Sequence, residues 1–140
     1  MELLIVVVIM GILTAIALPS YQKSVQKGNR SGAEQLMLQI ASLEQQYFID
    51  ARSYTNTLGS GGLSVPAGSG WSCTTNCTNT YYTVSVTLVT PTSGPPSYTI
   101  TATPISSSKQ VSDGTLYYNA DKTGTYSLGT KARSTGDYSW

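Results

Sequence analysis

Histidine is missing from all 140 residues, and with it the commonest general base and metal ligand. Cysteine occurs only as the C-x3-C pair Cys73 and Cys77. Structural zinc asks for four soft ligands, and neither a second pair nor a histidine completes a set. Redox chemistry would prefer C-x-x-C beside a helix start. Charge is scarce as well: 11% of residues carry one, against about a quarter in ordinary domains. The net charge of +1 argues against nucleic-acid binding through bulk electrostatics, which needs clustered basic residues. The sequence has no glycine-rich phosphate motif, no Ser-His-Asp arrangement and no carboxylate cluster at ligand spacing. Its acidic residues are scattered, and Asp113, Asp121 and Asp137 read as turn residues. The expectation is a chain that is not an enzyme, holds no metal and needs no cofactor.

What the chain does have is an apolar beginning. Residues 3–18 carry no charge, and only Gly11 and Thr14 interrupt the aliphatic run. Glu2 stands at its head and Pro19 closes it. At about 1.5 Å per helical residue the run reaches roughly 24 Å, slightly short of the roughly 30 Å of a bilayer core. A secretory signal would open on basic residues, and here the head is acidic. A plain anchor would not need a carboxylate beside the apolar run, where charge is costly. Glu2 is therefore read as a functional residue that requires a partner.

At 140 residues the chain is one domain by length. Past Pro19 the apolar residues become periodic. Ala33, Leu36, Met37, Ile40, Leu43, Tyr47 and Phe48 fall at steps of three and four, one stripe of a helix, with Gln35, Gln39, Glu44 and Gln45 on the other faces. One long helix is drawn from Glu2 to about Asp50. Residues 51–80 lose this period and are rich in turn glycines, with Trp71 expected to pack and the two cysteines to clasp the loop. An even, minimal cysteine count in an exported chain reads as one disulfide, Cys73 to Cys77. Closing so small a loop contributes about 2 kcal/mol.

The last third alternates. Tyr82, Val84, Val86 and Leu88 interleave with threonine and serine; Tyr98, Ile100 and Ala102 repeat the pattern, and shorter runs follow at Leu116 and Tyr118 and at Tyr126 and Leu128. Period two with aromatic and β-branched residues means half-buried strands. The expected architecture is α+β, a long N-terminal helix packed on a four-stranded antiparallel sheet. Lys109, Lys122, Lys131 and Arg133 are expected to form a modest basic patch at the far end of the domain.

The run from Glu2 through Pro19-Ser-Tyr-Gln22 resembles the N-terminal helix of type IV pilins. That family's motif places a glycine cleavage site and a phenylalanine ahead of the glutamate, where this sequence has Met1. Glu44-Gln-Gln-Tyr-Phe48, Tyr81-Tyr-Thr-Val-Ser85 and Tyr98-Thr-Ile-Thr-Ala-Thr-Pro104 are similar to a subgroup that includes minor pilins and the pilin that captures DNA for uptake. In that subgroup a cysteine usually precedes the glycine of Asp113-Gly114 and another precedes the closing tryptophan; here those places hold Asp113 and Ser139.

The resemblance implies a subunit that polymerises with copies of itself into an extracellular filament for adhesion, motility or DNA uptake. Residues 1–22 would be membrane anchor and filament core. Residues 23–140 would be the head, with an amphipathic helix half, a loop region at 51–80, a β-meander at 81–128 and a C-terminal loop. Before assembly the chain would cross the inner membrane once, as a partner of the pilus assembly machinery and of the prepilin peptidase, with N-methylation after cleavage. Glu2 would neutralise the terminal amine of a neighbour, since a buried charge is tolerable only when paired. Gly11, Thr14 and Pro19 mark a stretch of poor helix propensity that would melt in the filament. DNA is the further partner the subgroup implies. The alternatives are a minor or tip pilin that binds DNA and a type II secretion pseudopilin. For the latter, a calcium site near residues 113–121 would lack the dense oxygen-ligand loop.

Overall fold

The computed structural model describes residues 2–66, 68, 70–90, 95–120 and 130–133. Helix α1 runs unbroken over Glu2–Ala51, 50 residues or about 75 Å. Pro19 lies inside it, although its ring removes the donor that would bond Ala15. In the first third of α1 the side chains from Leu3 to Leu18 are exposed. Packing begins near Gln26. From there one stripe of α1 is progressively covered, and Ala33, Leu36, Met37, Ile40 and Ala41 are buried against the sheet.

Among the described residues the sheet has six strands in sequential order, every neighbouring pair antiparallel. They are β1 (Ser72–Cys73), β2 (Cys77–Thr78), β3 (Tyr82–Val89), β4 (Ser97–Pro104), β5 (Leu116–Asn119) and β6 (Thr130–Arg133). The register sets Val84 opposite Ala102 and Val86 opposite Ile100, and Leu116 opposite Ala102. All of these are buried, because side chains directly opposite one another share a sheet face. A lysine or glutamate at any of them would have no water to reach.

Two expectations need correcting, the number of strands and the burial of Leu88. The described residues form six strands rather than four, because the presumed loop at 51–80 contributes β1 and β2. Cys73 and Cys77 stand opposite each other on that hairpin and are disulfide-bonded, so the clasp extends the sheet instead of merely closing a loop. The run at Tyr126 and Leu128 lies outside the described residues, and the strand that pairs with β5 is Thr130–Arg133. Leu88, expected inside by alternation, is 41% exposed. The burial pattern of β3 ends at Val86, and the residues beyond it are exposed.

The segment between α1 and β1 is knitted to the sheet by its backbone. Val65 N–H donates to Leu58 at 2.8 Å and Leu58 N–H to Thr75 at 3.2 Å, while Gly59 N–H donates to the Thr74 carbonyl. Leu58, Leu63 and Val65 are buried beneath this net. The approach is close enough to demand glycine at Gly62, where a Cβ would lie 2.0 Å from the Thr57 carbonyl oxygen.

Candidate functional site

Two regions stand out among the described residues: the bare apolar helix and the polar seam where the head first meets it. Along the bare segment an 18-residue window averages a hydropathy of 2.7 with none of it buried. By length and composition this helix can cross a membrane. Thr14 does not break its apolar character, because its hydroxyl donates back to the Met10 carbonyl at 2.7 Å. Gly11 has open space where a side chain would be. Pro19 is accommodated within continuous helix, which lipid requires of every backbone group it surrounds. Glu2 opens the helix, but its side chain lies outside the description.

The polar seam is built by Gln26, Asn29 and Arg30 of α1 against a 3-10 helix at Lys109–Asp113. Ser108 caps that short helix by accepting the Gln110 N–H at 3.2 Å. Gln26 Nε2 donates to the Lys109 carbonyl at 2.7 Å and to Ser112 Oγ at 3.2 Å. The Gln110 side chain answers with its own amide, donating to the Gln26 carbonyl at 2.9 Å and accepting from Asn29 at 3.3 Å. Gln110 is 1% exposed, so these bonds replace water on a side chain that costs free energy to bury unpaired.

Asp113 forms the inner end of the seam. One carboxylate oxygen accepts from Arg30 at 3.0 Å and the other from the Tyr82 hydroxyl at 2.8 Å. Arg30 also pairs with Glu34 at 3.4 Å. Burial first, then the Asp113 bond and charge, push the Tyr82 phenol far above its ordinary range. The turn-residue reading of Asp113 is therefore corrected: it is buried and ion-paired, and it ties α1, β3 and the 3-10 helix together. Gly114 follows at φ 82, a conformation glycine takes at no cost.

Lys109 is also displaced from its expected place. It sits against α1 at Gln26, at the end of the head nearest the apolar run, and not at the far end. Lys131 and Arg133 fall two residues apart on β6, whose register sets Arg133 opposite Leu116, toward that same end. Lys122 lies outside the described residues. Among the described residues, no three histidine, cysteine, aspartate or glutamate side chains gather as a metal site.

A second buried carboxyl was assigned to an outer face by sequence and is instead in the core. Glu44 is fully buried and accepts the Thr55 N–H at 3.2 Å through Oε2, while Oε1 has no hydrogen-bond partner among the described residues. Burial pushes its pKa up to about 7, against the smaller lowering by the Thr55 bond.

Residues 19–117 match the family described as type IV minor pilin ComP, DNA uptake sequence receptor. The chain belongs to the ComP family of type IV minor pilins. No curated protein and no solved structure matches it. The ComP match runs from Pro19 to Tyr117, so it covers the head as far as β5 and neither the apolar run nor β6, and every residue of the polar seam falls inside it. This ComP-family head lacks a cysteine before Gly114, and its Asp113 holds the corresponding position by ion pairing.

Sequence reasoning missed Gln26, Asn29, Arg30 and Glu44 as members of the packed stripe. Their spacing carried the signal, since 26, 29, 30, 33, 36, 37, 40 and 44 continue one helical face.

Proposed function

We propose that this chain is a minor subunit of a type IV pilus that binds duplex DNA for uptake. The match of residues 19–117 to a family described as a DNA uptake sequence receptor carries this reading. Residues 1–22 serve as membrane anchor before assembly and as filament core afterwards, and residues 23–140 form the head. The bare apolar helix supports this division, because so much exposed aliphatic surface must be covered by lipid or by other helices. Its partners are other pilus subunits including copies of itself, the inner-membrane assembly machinery, the prepilin peptidase and DNA.

With so little net charge, the DNA affinity rests on a few phosphate contacts and the rest on groove reading. Lys131 and Arg133 on the edge strand are the cations assigned to phosphate. Anisotropy of a labelled duplex against rising salt tests this. Removing both should lower the slope of log K against log salt by about 2, at about 0.9 per phosphate. Equal binding of a cognate and a scrambled duplex would argue against a sequence receptor.

Glu2 is assigned to the terminal amine of a neighbouring subunit. Glu2→Val should leave the head folded and abolish incorporation into filaments. Residues 11–19 are the stretch where helix gives way to extended chain in the filament. Neighbouring helices there can satisfy backbone groups that lipid cannot. A filament map with unbroken helix through Thr14 would refute this.

A further inference from the structure

We propose that a cleft at the base of the head binds one anionic phospholipid of the membrane that holds α1. The cleft has a volume of about 370 Å3 and opens between α1, the residue before β3 and the segment leading into the 3-10 helix. Tyr21, Val25 and Tyr81 supply apolar and aromatic wall, while Ser107, Lys109 and Gln26 bring polar atoms to the same space. An apolar wall joined to a cation and hydroxyls is the chemistry of a glycerophosphate with the start of its acyl chains.

Its height along the helix fits the same ligand. Counting from Leu18 at about 1.5 Å per residue, Tyr21 stands about 4.5 Å and Gln26 about 12 Å above the apolar run. The headgroup layer on each side of a bilayer core is roughly 5–8 Å thick. The cleft therefore starts inside that layer, where tyrosine is favoured. The inference rests on the reading of residues 3–18 as a membrane anchor.

Charge complementarity selects an anionic lipid. Between Glu2 and Glu34 the helix carries Lys23, Lys27 and Arg30 and no acid. Arg30 is engaged by Asp113 and Glu34. Lys23, Lys27 and Lys109 are exposed at this end of the head. A neighbour's aliphatic helix in the cleft would bury Lys109 without a counter-charge, which is unfavourable. Duplex DNA would have to enter the headgroup layer to reach Tyr21.

The test uses the full chain in nanodiscs of phosphatidylcholine alone or with phosphatidylglycerol, with retained lipid counted by native mass spectrometry after gentle extraction. The wild type should retain phosphatidylglycerol in preference to phosphatidylcholine. Lys109→Glu should reduce the preference at least about five-fold, the worth of one cation near an anionic surface. Val25→Trp fills the cleft without changing charge and should abolish retention. A preference lost in Lys109→Glu but kept in Val25→Trp would reveal diffuse surface attraction and overturn the cleft. Displacement of the lipid by a short duplex would reassign the cleft to nucleic acid. Entry into discs without lipid preference overturns this proposal alone. Failure to enter discs of either composition overturns the anchor reading and this proposal with it.

Discussion

Replacing Asp113 with alanine removes the acceptor shared by Arg30 and Tyr82. Cutting one side of a fully buried ion pair typically costs about 3–5 kcal/mol. Here Arg30 retains Glu34 at 3.4 Å and its side chain is 17% exposed, so its charge is not stranded and the cost falls below that range. The Tyr82 hydroxyl, on a residue with no exposure, loses its acceptor at about 1–3 kcal/mol. Together these place Asp113→Ala at about 3 kcal/mol. Urea unfolding of the full chain in detergent, followed by tyrosine and tryptophan fluorescence, reads the difference. Tyr82→Phe alone should cost about 1 kcal/mol. In the Asp113→Ala background the same change should be neutral or slightly stabilising, because it deletes a hydroxyl already without its acceptor. A loss under about 1 kcal/mol for Asp113→Ala, or strictly additive effects in the double variant, would refute the buried-clasp account.

Three further outcomes are expected. Glu44 has a folded pKa of about 7 against an ordinary 4.5, so the folded state holds its proton more tightly than the unfolded chain. Stability from this group is full below pH 4.5 and is lost as pH rises toward about 7. Glu44→Gln should flatten that slope in urea titrations across the window, and a wild-type stability that rises there would contradict the assignment. Gly62→Ala places a methyl 2.0 Å from the Thr57 carbonyl oxygen. It should destabilise by about 2 kcal/mol or more, with increased proteolysis of the segment before β1. Reducing Cys73–Cys77 should cost about 2 kcal/mol. Hydrogen exchange should then rise at β1 and β2, while β4 and β5 keep their protection.

The long helix and the central strands were legible because apolar period alone specifies them. Ala33 to Ile40 repeats at 3.6, and Tyr82 to Val86 and Tyr98 to Ala102 repeat at 2. The β1–β2 hairpin was not legible, since two-residue strands carry no period and only the Cys73–Cys77 spacing hinted at them. Gln26, Asn29 and Arg30 were missed, and Glu44 was misplaced, for a different reason. A polar residue on a packed stripe scores against burial, and the partners that make burial tolerable lie about 80 residues away in Gln110 and Asp113, or on a backbone N–H at Thr55. Composition also hid Asp113, because Asp-Gly reads locally as a turn. The DNA-uptake reading had a trace only in short matching stretches, none of which contains a binding motif by itself.

The polar seam has a mechanical consequence. A pull on the apolar end of α1 travels along the helix axis and reaches the head first at Gln26, Asn29 and Arg30. Their bonds join α1 to the 3-10 helix from positions about one turn apart at most. A load along the helix therefore shears these contacts together instead of peeling them in succession. Contacts sheared in parallel share the force, so the base of the head yields late. The aliphatic stripe from Ala33 onward would be stressed only after Arg30 and Asp113 part. Traction on such a subunit would therefore be taken up in its bare helix before its sheet is disturbed.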